Sequence, residues 1–270
     1  MDPEAYLRRV DYRGPREPTL EVLRALVLRH ATSIPFENLD AFLGRRVSLD
    51  PQAVERKLVH GGRGGWCFEQ NLLFGNALRA LDFEVTDLAA RVLWGRPPDA
   101  VTARTHRMLL VRIAGQDWLV DVGFGGQMLT GVLDLHSEAQ QQTPHEPFRL
   151  RRMGDERVVE SLVQGEWRPL CRFDLQRQQP IDFEAANWWL TQDPASHFTQ
   201  GLVVSLVAQD GRHTLRGREL AFHKLGGGTT RRELQGVAEV LDALRDVFGL
   251  RLDASLETAL ENRLEALRTP

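Results

Sequence analysis

The stretch Arg63-Gly64-Gly65-Trp66-Cys67-Phe68-Glu69-Gln70-Asn71 decides how the rest of the chain is read. The glycines between Gly61 and Gly65 break the backbone, and Phe68, Leu72, Gly75 and Leu78 then recur at helical spacing up to about Leu81. Cys67 is therefore expected in the first turn of a helix, directly after a glycine turn. Helix N-termini carry unpaired N–H groups and a partial positive charge, and both favour the thiolate, the reactive form of cysteine. The same N–H groups can donate to an oxyanion formed on an attacked carbonyl. The bland alternative is a small buried apolar residue, a common state of free cysteine. The flanking glycines weigh toward a nucleophile without deciding it.

Working outward, the N-terminal side reads as helical. Pro18 and Thr19 signal a start, and Leu23, Leu26, Val27 and His30 share one face of a helix over 18–31. Residues 51–60 form a second short helix. On the C-terminal side the period changes near residue 84: Leu88, Ala90, Val92 and Trp94 alternate as in a strand. RMLLVRI (107–113) and DWLVDVGF (117–124) pair around Ala114–Gln116, and FRLRRM, RVVESLV and EWRPLCRF continue a meander that suits a barrel. Residues 181–200 match no template. LVVSLVAQ and HTLRGRELAF flank the hairpin signal Asp210-Gly211. A helix is expected over 231–248, and a last one after Asp253 with Leu256, Leu260, Leu264 and Leu267 on one face. Helices, then strands, then a hairpin with helices describe an α+β chain.

Composition sets bounds. The 270 residues allow one large domain or two to three small ones. With 42% hydrophobic and 26% charged residues, disorder, collagen and a coiled-coil rod are excluded. The formal charge of −3 offers no basic excess for nucleic acid or a membrane surface. Two cysteines, Cys67 and Cys171, allow one disulfide at most, and the scattered histidines lack metal-ligand spacing. The start MDPEAYLRRVDYRG carries no signal-peptide pattern, and no run approaches the ~18 apolar residues of a membrane span. A cytoplasmic protein with free thiols, no metal, no nucleic acid and no membrane partner is the expectation.

A nucleophilic cysteine needs a base, and the base needs an orienter. His106 begins one strand of the expected pair and Asp121 lies near the end of the next, so a short antiparallel turn brings them together. Their distances from the turn are unequal, which calls for a bulge or a longer turn. An aspartate among Leu119, Val120 and Val122 is costly unless partnered, and a histidine ring N–H is a suitable partner. That contact fixes the imidazole tautomer and leaves the other nitrogen for Cys67.

With Ile34-Pro35-Phe36-Glu37-Asn38-Leu39, Arg63 to Asn71, Arg104-Thr105-His106 and Asp121-Val122-Gly123-Phe124-Gly125 in this order, the chain resembles the arylamine N-acetyltransferases along nearly its whole length. The resemblance implies an N-terminal helical bundle over 1–84 carrying the nucleophile, a central β-barrel over 85–190 carrying His and Asp, and a C-terminal α/β lid over 191–270, around a papain- or transglutaminase-like Cys-His-Asp core. It implies acetyl-CoA as co-substrate, an arylamine, arylhydrazine or hydrazide as acceptor, and ping-pong transfer. In that scheme Cys67 accepts the acyl group, His106 moves protons and Asp121 orients His106. The resemblance also points to Phe36, Phe124, Phe198 and Thr105 for the acceptor. For CoA it points to Gly125, Gly126, Trp94 and His223, with Lys224 as a phosphate partner.

Other segments have plainer readings. Glu69 and Gln70 cap or brace the helix, and Glu37 and Asn38 tie their loop to the helical bundle. The Gly226-Gly227-Gly228 run lacks the Lys-Ser/Thr of a phosphate loop and reads as a flexible connection. Cys171 is structural, and Trp188 and Trp189 pack the third region onto the barrel. The rival functions are a transglutaminase- or papain-like thiol hydrolase, an amide synthase of natural-product biosynthesis with the same triad, and a non-catalytic CoA- or aromatic-binding module.

Overall fold

In the computed structural model, which describes residues 1–266, side-chain oxygens start the N-terminal helices. Asp2, Thr19 and Asp50 accept from the N–H groups of Ala5, Val22 and Ala53, each satisfying a donor that the first turn leaves open. They open α1 (Pro3–Arg9), α2 (Leu20–Ser33) and, after the short strand β1 (Phe36–Glu37) and helix α3 (Leu39–Phe42), α4 (Pro51–Glu55). The last widens into a π-helical turn over Arg56–His60. Helix α5 (Cys67–Ala80) is buried at nearly every position and forms the hub of this region.

The barrel follows as β2 (Glu84–Val92), β3 (Arg104–Ile113), β4 (Gln116–Val120), β5 (Leu133–Asp134), β6 (Phe148–Met153), β7 (Glu156–Val163) and β8 (Glu166–Phe173). Its seven strands run in the order β5-β4-β3-β2-β8-β7-β6. Gln141 nearly closes the ring. Its backbone exchanges hydrogen bonds with Phe148 at 2.7 and 2.9 Å, while its side-chain amide does the same with the backbone of Asp134 at 2.7 and 3.1 Å. One glutamine thus spans the gap between the edge strands β5 and β6. Strand β3 is buried on both faces, which explains its unbroken apolar run. Met108 packs inside the barrel with Leu119, Phe148 and Phe173, whereas Leu109 and Val111 pack outward with the core around α5.

The region that matched no template is helical: a 3-10 turn over Pro180–Phe183, α6 (Glu184–Gln192) and α7 (His197–Gln200). Then come β9 (Val203–Ala208), β10 (Gly211–Arg216), β11 (Glu219–Lys224), β12 (Thr229–Glu233), α8 (Val237–Asp246) and α9 (Ala254–Ala266). The five-stranded sheet has the order β1-β9-β10-β11-β12, so Phe36 and Glu37 join the N-terminal region to the C-terminal one. One face of this sheet, through Val204 and Leu215, packs on Leu241, Leu244, Phe248, Leu256 and Leu260.

Several sequence expectations need correction. HTLRGRELAF is itself a hairpin, with Gly217 at φ 57° in its turn. Residues 229–233 pair with β11 instead of starting a helix, because the sheet offers their backbone a partner strand. Trp188 and Trp189 are 61% and 42% exposed and do not pack the third region onto the barrel; α6 buries Asn187, Leu190 and Thr191 instead. Leu267 lies outside the described residues. Among the described residues no helix is long and apolar enough to cross a membrane.

Candidate active site

Cys67 is the first residue of α5, as the glycine turn requires. Glu69 reaches back to accept from the N–H of Trp66 at 3.2 Å, the returning half of a capping box. His106 lies on β3 and Asp121 just beyond β4. Leu109 pairs with Val120, so continuing the register sets Asp121 opposite Met108, diagonal to His106 and on the same face. The unequal distances from the turn therefore need no bulge in this hairpin. Ala114 and Gly115, at φ 50° and 79°, make a tight two-residue turn of the type that matches strand twist.

The bulge lies on the other flank of β3. Ala90 pairs with His106 but Arg91 with Arg104, leaving Thr105 as the extra residue. Such a kink re-aims the next side chain, and here that is His106. The thiol of Cys67 points at the Thr105 carbonyl, 3.7 Å away. His106 Nε2 meets Asp121 Oδ2 at 2.6 Å, and Cys67 also favours the charged ring. Burial opposes charge on this ring, but the Asp121 carboxylate and then Cys67 outweigh it and hold His106 up to about 10. The ring is an imidazolium at neutral pH. This positive charge lies beside the N-terminal end of α5, the end of a helix that favours negative groups.

Asn71, one helical turn after Cys67, fixes the Asp121 carboxylate. It donates to Asp121 Oδ1 at 3.0 Å and to the Arg107 carbonyl at 2.6 Å, and accepts from the Val122 N–H at 3.2 Å. The Gly123 N–H donates to the same Asp121 oxygen at 2.9 Å. Gly123 also lies so close to α5 that a Cβ there would sit 2.7 Å from Cys67 Cα and 2.7 Å from Asn71 Nδ2. A side chain at 123 would push against Cys67 and Asn71. Neither role was assigned from sequence, although the spacing of Asn71 from Cys67 on one helix face is a readable signal.

Beneath Cys67 lies a buried polar knot. Lys57 Nζ contacts Asp40 at 2.7 Å, Glu69 at 2.8 Å and Glu37 at 3.8 Å, and Arg63 contacts Glu37 at 2.7 Å. Burial acts to lower the Lys57 ammonium, but Glu37, Glu69 and Asp40 together raise it. Gln70 braces the glycine turn through the carbonyls of Pro35 and Gly65, and accepts from His30, whose other ring nitrogen meets Tyr6. The expected brace roles of Glu69, Gln70 and Glu37 thus have partners. Asn38 differs: it bonds the carbonyls of Phe198 and Gly201 and the N–H of Val203, tying its loop to the C-terminal region instead of the helical bundle.

Beside the triad opens a cleft of about 920 Å³ between the barrel and the five-stranded sheet. Phe124, whose ring meets His106 edge-on at 5.4 Å, stands at its triad end. Trp94, Gly126, His223 and Lys224 line it, as do Arg212, Thr214, Arg216 and Arg231. Strand alternation explains the last group: cross-strand and two-residue neighbours share the face opposite the apolar core. His223 is held by Thr214 and Thr229 at 3.1 and 3.0 Å. Phe36 and Phe198 are not among the lining residues. They form an aromatic cluster with Trp66, with centroids at 6.1 Å between Phe36 and Phe198 and 5.3 Å between Trp66 and Phe198. Gly125, at φ 81°, backs onto the Phe36 ring, and Thr105 meets Cys67 through its carbonyl. Cys171 is buried in the barrel core.

Comparison with known proteins follows the same line. A family profile described as N-acetyltransferase matches residues 19–257. The arylamine N-acetyltransferase of Mycolicibacterium smegmatis is 45% identical over 256 residues, 93% of each chain. That of Escherichia coli K12 is 41% identical over 249 residues, 92% of this chain and 88% of its own. The solved structure of Mycobacterium marinum arylamine N-acetyltransferase in complex with CoA superposes with a TM-score of 0.93 at 42% identity, covering 98% of this chain and 99% of that one.

Proposed function

The chain belongs to the arylamine N-acetyltransferase family, and from that premise we propose that it transfers acetyl groups from acetyl-CoA to arylamines, arylhydrazines or hydrazides through an acyl-thioester on Cys67. The observation that carries the reading is the buried cluster of Cys67, His106 and Asp121, in which His106 bonds Asp121 and Asn71 braces Asp121. In the first half-reaction the Cys67 sulfur attacks the acetyl carbonyl carbon, and the CoA sulfur leaves with a proton from His106. One thioester replaces another, so the step is near balance. In the second, the amine nitrogen attacks the Cys67 acyl carbon, His106 takes the N–H proton, and the sulfur leaves as the amide forms. An aromatic amine is neutral at pH 7 and needs no prior deprotonation, which suits a base that acts during attack. Two half-reactions at one sulfur make the kinetics ping-pong.

The cleft supports CoA as donor. Arg216 and Lys224 have no ion pair among the described residues and face a pocket that also holds Arg231, a charge pattern suited to phosphates. Trp94 offers a stacking face at the rim, and Gly126 lets the arm pass close to the backbone. Phe124 against His106, and Phe36 and Phe198 against each other, support an apolar acceptor pocket, with Thr105 beside Cys67. In this reading residues 1–84 supply the nucleophile, 85–190 the base and orienter, and 191–270 the lid. The free thiols of Cys67 and Cys171 suit the cytoplasm.

The test is the intact mass of the protein, acid-quenched after brief exposure to acetyl-CoA without acceptor, with CoA release followed in parallel. One acetyl group on Cys67, discharged by an added arylamine or hydrazine, is expected. No adduct and no CoA release would remove acetyl-CoA as donor.

A further inference from the structure

The arginines on the cleft face of the five-stranded sheet are not alike. Arg212 is only 3% exposed and gives Nε and Nη2 to the two carboxylate oxygens of Glu146, which comes from the barrel side. Its third nitrogen, Nη1, is buried with no partner among the described residues. Next to Glu146, His145 is 8% exposed and bonds the Ala208 carbonyl through Nε2 at 2.8 Å. A carbonyl can only accept, so Nε2 carries the proton and Nδ1 is a bare lone pair. Burial and then Arg212 keep the ring neutral, and Nδ1 too is buried without a partner. Both residues line the same cleft.

A buried donor or acceptor left unmet costs about 1–3 kcal/mol. A donor and an acceptor stand unmet in residues of one cleft wall, which fits a ligand bearing both kinds of group. Charge narrows the choice further. The Arg212–Glu146 pair is neutral as a unit, so Nη1 suits an uncharged oxygen, whereas Arg216 and Lys224 keep the unbalanced charge that phosphates need. Position agrees. A Cβ on Gly126, near the triad end, would lie 3.5 Å from Thr214, and Arg212 is two residues further along the same face of β10, about 7 Å away.

We propose that Arg212, His145 and Glu146 form a subsite that reads the uncharged pantetheine arm of the acyl donor. In it Arg212 Nη1 donates to a carbonyl or hydroxyl oxygen, and His145 Nδ1 accepts from an amide N–H or hydroxyl. The proposal rests on the reading that the cleft holds CoA. Its test compares the rate of Cys67 acylation by acetyl-CoA, by S-acetylpantetheine and by p-nitrophenyl acetate, which has no pantetheine. The variants are His145→Phe and the charge-balanced double replacement Arg212→Leu with Glu146→Leu, so the test survives if the double variant does not fold. In each, kcat/KM for the two pantetheine donors should fall about tenfold, while p-nitrophenyl acetate acylates at the wild-type rate. A loss confined to acetyl-CoA would assign these groups to the nucleotide end and overturn the proposal. Equal loss with all three donors would make the role purely structural, and no loss would mean that water alone meets these atoms; either overturns it. Failure of the wild-type protein to be acylated by either thioester would strike the CoA reading itself.

Discussion

Around Cys67, His106 and Asp121 nearly every polar atom already has a partner inside the protein: Asp121 Oδ1 takes two N–H bonds, Oδ2 takes His106, and Asn71 uses both ends of its amide. Across Phe124, the cleft wall is the reverse. Arg216 and Lys224 have no ion pair, and Arg212 and His145 each keep a polar atom unmet among the described residues. The contrast follows from the work each region does. A triad must hold its geometry before substrate arrives, since reorganising it during the reaction raises the barrier. A cleft that holds the proposed acyl donor would leave bonds unmade, because those are what a ligand completes.

Changes in the first region should cost rate, and changes in the second should cost donor affinity. The largest effect is expected for Asp121→Asn, which keeps the shape but removes the acceptor that fixes the His106 tautomer. Acyl transfer should fall by about 10³–10⁴-fold, measured as single-turnover acylation beside thermal unfolding. A change in KM alone would break the contrast. Gly123→Ala comes next. Its Cβ must displace Cys67 or Asn71, which should cost about 10²-fold in rate and about 1–3 kcal/mol in stability. Wild-type turnover in that variant would show that the close approach has no catalytic consequence.

The two buried histidines sharpen the comparison within the first region, because they titrate in opposite directions. His106 is held up to about 10, above its ordinary 6.5, by Asp121 and Cys67 against burial. Its contribution to stability is complete below pH 6.5 and is lost as pH rises through about 10. His30 is pushed down to about 4 by burial, against its bond to Gln70. Its contribution is complete above pH 6.5 and is lost as pH falls toward about 4. Melting curves across pH should therefore show His106→Gln losing less stability than wild type on the alkaline side, and His30→Gln losing less on the acid side. Parallel profiles for all three proteins would contradict both assignments.

The smallest effect belongs to the cleft. Arg216→Ala should raise KM for acetyl-CoA about three- to tenfold, more at low salt than at high, with kcat unchanged. A fall in kcat at constant KM would place Arg216 with the triad instead.

The meeting of Cys67, His106 and Asp121 was legible because they lie in short local patterns. Gly61 to Gly65 before an apolar helical run place Cys67 at a helix start, and the hairpin brings His106 to Asp121 with matching side-chain parity. Asn71 was within reach of the same reasoning, one turn beyond Cys67. Lys57, which ties Glu37, Asp40 and Glu69 together under the nucleophile, gave no signal, because a lysine in a short helix reads as solvated. Trp188 and Trp189 misled for the opposite reason: a tryptophan pair reads as core, yet α6 turns Asn187 and Leu190 inward.

By itself, the sequence determined which elements carry Cys67, His106 and Asp121 and in what order, since helix starts, hairpin turns and strand alternation are short-range properties of the backbone. Only the tertiary structure decided the cleft. Its walls come from the loops at Trp94 and Phe124, the segment before β6, the β7–β8 hairpin and strands β10 to β12, which are brought together by packing and not by sequence neighbourhood. Which arginine is neutralised depends on the carboxylate that long-range contact delivers, as Glu146 reaches Arg212 and none among the described residues pairs with Arg216.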